Sequence, residues 1–321
     1  MKIKPIIVVA GEPNSIFSEI FLKSIKFKRF KSPIILIGSL SLFKRQMKFL
    51  NLNHEINLIN EKYINKLNLN NKKVNIINVE YSGYNFFGKI SQRSNKYIEE
   101  CFSVAFRILK KKITHKLING PINKKYFLKN KYLGITEYIS KKFNIRNYAM
   151  LIFNKKLAVC PITTHLPLKF VSKNITKKII QKKILLINDF YLKKLKYKPR
   201  LVITGLNPHC ESIDKFNEDE KIIKPTIKYL KKIKINIQGP FSADTIFLKE
   251  NRKKFDVIIG MYHDQVLTPF KTLFEYDAVN ITLGLPFLRL SPDHGPNEKM
   301  IKSNSSNPLS LIRALEFLDI L

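Results

Sequence analysis

Three of the six histidines stand in similar settings. His165 lies in Thr163-Thr164-His165-Leu166-Pro167, His209 in Gly205-Leu206-Asn207-Pro208-His209, and His263 in Gly260-Met261-Tyr262-His263-Asp264-Gln265. Each follows a short run of β-branched and apolar residues that reads as a strand. The carboxyl ends of strands in an α/β sheet point to one edge, where ligands bind. Three imidazoles meeting there would hold a divalent transition metal and leave positions open for a substrate. Separations of tens of residues are no metal signature in themselves, so three unrelated loop histidines capping turns is an equal reading of the spacing alone. His54 and His115 have poor contexts and read as surface residues.

Lys271, Asn280 and Arg289 form a second constellation. Two cations beside an amide suit a phosphate or a carboxylate. A lone Lys means little in a chain this basic, and its bland reading is a solvated side chain. Arg289 says more, because Arg is scarce here and Asn280-Ile281-Thr282-Leu283-Gly284-Leu285-Pro286-Phe287-Leu288 before it is largely apolar. Gly120-Pro121-Ile122-Asn123-Lys124 ends another strand, where glycine would let the backbone approach a ligand, or would simply turn. The first strand runs into Gly11-Glu12-Pro13-Asn14-Ser15-Ile16, without the GxGxxG of a common dinucleotide site.

The elements that must position these residues alternate. Strands are expected at Ile6–Ala10, Ile34–Gly38, Val74–Val79, Lys116–Asn119, Ala149–Phe153, Leu157–Ile162, Leu201–Thr204, Ile235–Gln238 and Asp256–Gly260. Helical periodicity marks Asn95–Lys111, Thr176–Leu195, Glu218–Lys232 and a last Leu309–Leu318. Strands alternating with helices predict an α/β protein with a mainly parallel sheet. Asn154-Lys155-Lys156 between two strand runs reads as a hairpin, which makes the sheet mixed. The Lys/Asn-rich stretch from Asn51 to Lys73 reads as a polar surface excursion.

At 321 residues the chain is long enough for two domains of about 150 residues. Its net charge of +34 invites a nucleic-acid reading. Against it, Lys outnumbers Arg 49 to 9 and is scattered, whereas nucleic-acid recognition favours clustered charge and the bidentate fork of Arg. A solvated basic surface, which also draws in anionic substrates, is the better reading. Cys101, Cys160 and Cys210 are far apart, which fits a reducing cytoplasm and no disulfide framework. No run approaches the roughly 18 apolar residues of a membrane span.

Taken together, six stretches resemble the 4-hydroxythreonine-4-phosphate dehydrogenase family, in its order and spacing and over nearly the whole chain. They are Gly120–Lys124, Thr163–Leu168, Gly205–His209, Gly239-Pro240 with Ala243-Asp244-Thr245, Tyr262–Gln265 and Asn280–Phe287. The resemblance implies a two-lobed α/β/α fold similar to isocitrate and isopropylmalate dehydrogenases. It places one lobe near 1–130 plus 270–321 and a second, with the dimer contacts, near 131–269. It also implies a homodimer with shared active sites, NAD, and a divalent metal (Zn, Mg or Co) on His165, His209 and His263. Thr136, Lys271, Asn280 and Arg289 match substrate-contacting positions, and Asp244 and Asp264 are candidates for a general base or for orienting a ligand histidine. The implied reaction is metal-assisted oxidation of 4-phosphohydroxy-L-threonine to a β-keto acid that decarboxylates to 3-amino-2-oxopropyl phosphate, in pyridoxal phosphate biosynthesis.

The chain also departs from that family. The usual Gly-His-Thr-Glu reads Gly134-Ile135-Thr136-Glu137, so a substrate-binding histidine is replaced by a side chain that makes no hydrogen bonds. Ser15 and Phe17 replace glycines of the first loop, and Cys210-Glu211-Ser212-Ile213-Asp214 replaces a glycine-rich loop near the cofactor. A phosphorylated four-carbon sugar acid is therefore an alternative substrate. A metal-dependent phosphohydrolase and a nucleic-acid-binding protein are more distant readings.

Overall fold

A computed structural model describes residues 3–83, 87–128, 131–213, 216–292 and 295–321, with the side chain of Lys66 excepted. Asp214, at the end of the altered loop, lies outside the described residues. The chain divides into two compact units, Met1–Tyr138 with Pro286–Leu321, and Ile139–Leu285. The return to the first unit thus comes at Pro286 rather than near residue 270.

The first unit opens with β1 (Ile6–Val9), α1 (Phe17–Phe27), β2 (Ile34–Gly38), α2 (Leu40–Phe49), β3 (Ile56–Leu58), β4 (Val74–Asn78), α3 (Asn95–Lys110) and β5 (Lys116–Asn119). Next comes α4 (Ile135–Lys142), across the division. The second unit continues with β6 (Ala149–Phe153), β7 (Ala158–Pro161), α5 (Val171–Asn174), α6 (Lys177–Phe190), β8 (Leu201–Thr204), α7 (Lys224–Lys232) and β9 (Ile237–Phe241). It ends with α8 (Ala243–Ile246), α9 (Lys249–Arg252), β10 (Val257–Gly260), α10 (His263–Phe274) and β11 (Val279–Leu283). β12 (Leu288–Pro292) and α11 (Leu309–Ile320) complete the first unit.

Strands of the first unit run in the order β3-β4-β2-β1-β5-β12, all parallel. Those of the second run β11-β6-β7-β10-β8-β9, where β6 is antiparallel to both neighbours and the rest are parallel. The fold is therefore α/β with a mixed, mainly parallel arrangement. β1, β2, β5, β7, β8 and β10 are buried along their whole length. Helices cover both faces of such strands, so their sequences are continuous apolar runs rather than alternating ones.

Local chemistry sets the element ends. Thr176 caps α6 by accepting from Ile179 N at 3.3 Å, and Ile180, Ile184 and Ile187 then fall on one buried face. In the hairpin, Asn154 N donates to Leu157 O at 3.1 Å, and Asn154 Oδ1 accepts from Lys156 N at 2.9 Å. The core of the second unit gathers Met150, Val159, Val202, Ile258, Val266 and Phe270. It anchors β6, β7, β8, β10 and α10 against one another.

Two expectations need correction. The segment from Asn51 to Lys73 is not only an excursion, because β3 forms within it as an edge strand. The strand expected at Ile235–Gln238 begins at Ile237 and runs through a bulged Gly239-Pro240 to Phe241. Among the described residues no helix is long and apolar enough to cross a membrane.

Candidate functional site

β7, β10 and β8 are adjacent and parallel. His165, His209 and His263 follow these three strands, so all three emerge at one edge of the second unit. Cross-strand bonds lock the loops together. Ile162 N donates to Gly260 O at 2.7 Å, and Thr163 N and Oγ1 both donate to Met261 O, at 3.0 and 2.8 Å. These bonds bring the loop after β7 onto the loop after β10, and the His165 and His263 rings stand 5.7 Å apart at 37°. Two imidazoles sharing one ion at about 2.0–2.1 Å from each nitrogen have ring centres roughly 5–6 Å apart. The observed ring spacing falls in that range.

His263 opens α10, and its Nδ1 lies 2.6 Å from Asp264 Oδ1. With the proton on Nδ1 the ring donates to the carboxylate and turns the Nε2 lone pair outward, as metal-binding histidines do. Asp264 is 79% exposed, so the contact orients the ring more than it stabilises the fold. Asp244 is exposed in α8 and has no hydrogen-bond partner among the described residues.

His209 is exposed and backed by a rigid loop. His165, His209 and Cys210 all have left-handed backbones, with φ of 51°, 55° and 63°. For residues other than glycine this geometry costs on the order of 1–3 kcal/mol each and persists only where surroundings impose it. For the His209–Cys210 segment, Asp219 and Gln265 are part of those surroundings. Asp219 Oδ1 accepts from Leu206 N at 2.9 Å, and Oδ2 from Asn207 N and Nδ2 at 3.1 and 3.0 Å. Gln265 Oε1 accepts from Met261 N at 2.7 Å and Thr204 Oγ1 at 2.9 Å, while its Nε2 donates to Gly205 O at 2.8 Å. Gln265 thus ties the loop leading to His209 to the start of the helix carrying His263. The structure brings His165 to His263, but among the described residues no cluster of three His, Cys, Asp or Glu side chains forms that would hold an ion.

The expected substrate residues fall in both units. Lys271 sits in the last turn of α10, about 12 Å along the helix axis from His263. Asn280 lies on β11 opposite Ile152, and its Oδ1 is buried without a hydrogen-bond partner among the described residues. Leaving a buried acceptor unmet costs about 1–3 kcal/mol, which a ligand's donor would recover. In the first unit Arg289, on β12, is completely buried. Its Nε donates to Asn119 Oδ1 at 2.7 Å and its Nη1 to Thr136 Oγ1 at 3.3 Å. Burial pushes the guanidinium down to about 10, and the charge of Glu137 partly offsets this. Asn119 and Thr136 thus fix the buried guanidinium in place, beside the charge of Glu137. Ile135, the first residue of α4, is half-buried beside Thr136.

For the glycine of the Gly120–Lys124 stretch, read either as a ligand approach or as a simple turn, the structure shows a close approach of the chain to itself. A Cβ on Gly120 would meet Ala10 O at 2.3 Å and Phe17 Cδ2 at 2.6 Å, so the close neighbour is the chain itself. In the loop after β1, Glu12 is buried, accepting from Ser94 Oγ at 3.0 Å and Asn14 N at 3.5 Å. Desolvation lifts its pKa to about 7, against those two hydrogen bonds and with a small push from Glu298.

Sequence reasoning assigned no role to Asn119, Asp219 or Gln265. Asn119 and Gln265 carried a weak signal, one as the polar end of an apolar strand and the other inside Tyr262–Gln265. Asp219 carried none, because its partners are two backbone N–H groups and one amide that only folding brings to it.

Comparison with known proteins places these features. Residues 29–318 match the family described as pyridoxal phosphate biosynthetic protein PdxA. A 4-hydroxythreonine-4-phosphate dehydrogenase of Sulfurihydrogenibium sp. is 37% identical over 318 residues, covering 96% of this chain and 95% of that one. A D-threonate 4-phosphate dehydrogenase of Salmonella typhimurium is 30% identical over 304 residues, covering 92% of each. The crystal structure of the 4-hydroxythreonine-4-phosphate dehydrogenase of Klebsiella pneumoniae superposes with a TM-score of 0.84 at 26% identity, over 98% of both chains. With the match spanning both units and the relatives named as dehydrogenases, the chain belongs to the pyridoxal phosphate biosynthetic protein PdxA family and is an oxidoreductase.

Proposed function

We propose that this protein oxidises 4-phosphohydroxy-L-threonine with NAD, and that the β-keto acid formed loses CO2 to give 3-amino-2-oxopropyl phosphate. The observation that carries the reading is the His165–His263 pair at the ends of adjacent parallel strands, with Asp264 on the outer nitrogen. His209, in the loop after the next strand, would be the third donor. A divalent metal (Zn, Mg or Co) held there would supply Lewis acidity for the oxidation and for the decarboxylation. NAD would serve as the hydride acceptor, and the substrate's hydroxyl proton would pass to a base of this chain. Asp264 is engaged with His263 and serves to orient it. Asp244 is thereby the remaining candidate for the base. Arg289, Thr136, Lys271 and Asn280 hold the anionic and polar groups of the substrate. A homodimer with shared sites and a reducing cytoplasm complete the proposal, the latter supported by three buried free thiols.

A second reading keeps the reaction and changes the substrate to D-threonate 4-phosphate. The 30% identity to a D-threonate 4-phosphate dehydrogenase favours it, and Ile135 marks where this chain lacks a hydrogen-bonding side chain beside Thr136. NADH formation by the purified protein, with each substrate and with a chelator control, tests both. Chelator-sensitive NADH formation from either substrate is expected, and the ratio of kcat/KM values names the substrate. Phosphate release without NADH would overturn both readings.

A further inference from the structure

We propose that Asp219 is a positioning residue for His209. The inference rests on the reading of His209 as a metal ligand. From the end of β8 to Cys210 the chain passes through two successive left-handed residues, neither of them glycine. Nothing in the local sequence favours that path, so it must be imposed from outside. Asp219 is wholly buried, and both of its oxygens are spent on the residues just upstream of His209. Its own N–H donates to Asn217 Oδ1 at 2.9 Å, which anchors the acid itself. Glu218 Oε2 takes Asn207 Nδ2 from a second side at 3.1 Å. The fit is close, since a Cβ on Gly205 would stand 2.7 Å from Asp219 Oδ1.

The other two histidines are held differently. His263 is oriented by Asp264 directly, and the His165 loop is tied to the β10 loop through Thr163. The His209 loop has Gln265 at its root, but among the described residues Asp219 is the side chain that accepts from the backbone N–H groups of both Leu206 and Asn207, just upstream of the ring. A carboxylate accepts on both oxygens, whereas an amide accepts on one and turns N–H groups toward the other donors. Asp219→Asn therefore preserves volume while releasing the loop. Loss of a partner that orients a ligand typically weakens metal binding about 10–100-fold.

The test measures Co2+ affinity by chelator competition in the full-length protein, for the wild type, Asp219→Asn, His209→Ala and the double variant. Hydrogen exchange of segment 201–213 is followed in parallel on metal-free protein. Asp219→Asn is expected to weaken Co2+ binding at least 10-fold and to speed exchange in that segment alone. The double variant is expected to bind no more weakly than His209→Ala, because Asp219 acts through that ring. Asn207→Ala, which removes one of the three contacts, should show a smaller loss in the same direction. Additive losses in the double variant, or Asp219→Asn within twofold of wild type while His209→Ala is impaired, would overturn the positioning role. Unchanged Co2+ affinity in His209→Ala would instead remove the ligand reading and the inference with it.

Discussion

Glu12→Gln isolates the energetic consequence of a carboxyl group buried in the loop after β1. Glutamine keeps the shape, still accepts from Asn14 N and can donate to Ser94 Oγ, but it cannot ionise. In the folded protein Glu12 titrates at about 7, against 4.5 in the unfolded chain. At about 1.4 kcal/mol per pKa unit this is worth about 3 kcal/mol. The sign follows from proton binding. Between the two values the folded state holds a proton that the unfolded state has released, so stability falls as pH rises. The contribution is fully present below 4.5 and is gone above about 7. Urea unfolding at pH 4.5 and pH 8, for wild type and Glu12→Gln, gives a double difference in which the other titrating groups cancel. Glu12→Gln should gain about 3 kcal/mol relative to wild type on going from pH 4.5 to pH 8. A double difference below about 1 kcal/mol would show that the carboxylate is hydrated or paired in the native state, and the argument from burial would fail.

Arg289→Lys should lower stability by about 1.5–3 kcal/mol, because a buried ammonium cannot keep the bonds to both Asn119 and Thr136, and should lower kcat/KM roughly 10- to 150-fold in the folded protein, the equivalent of one charge-assisted hydrogen bond of about 1.5–3 kcal/mol; turnover within twofold of wild type would deny Arg289 a role in substrate binding. Gly120→Ala should destabilise the fold by about 1–3 kcal/mol through overpacking against Ala10 O. Substrate KM should not change in the fraction that folds, and a raised KM with intact stability would restore the ligand-approach reading.

The elements legible in the sequence are those whose physics is local. β1, β2, β5, β8 and β10 are short apolar runs because both faces are covered, and the α6 stripe carries its own Thr176 cap. β11 and β12 went unread as strands because Asn280, Thr282, Arg289 and Ser291 interrupt their apolar pattern. β3 went unread because two of its three residues are exposed at an edge. α10 was hidden by Pro269, which sits inside the helix. For the site, the sequence brought out the residues that would face ligands, since His165, His209, His263 and Arg289 stand out by type. Their supports did not stand out. Asn119, Asp219 and Gln265 act on backbone groups and a guanidinium brought near only by folding, and no spacing encodes that.

The first unit is assembled from two pieces of chain, with β12 laid beside β5 from beyond Pro286. During synthesis, Leu117 and Ile118 of β5 emerge long before the strand that will cover their open edge. At roughly 5–20 residues per second the intervening unit takes about 7–30 s to be made, and it is the one that can close on its own as it leaves the ribosome. The N-terminal strands must wait through that interval as an unfinished sheet with an exposed, apolar border. Such a border is a template for pairing with other nascent chains. In the cell this protein is therefore a natural client for chaperones that shield N-terminal β-structure until the last segment arrives.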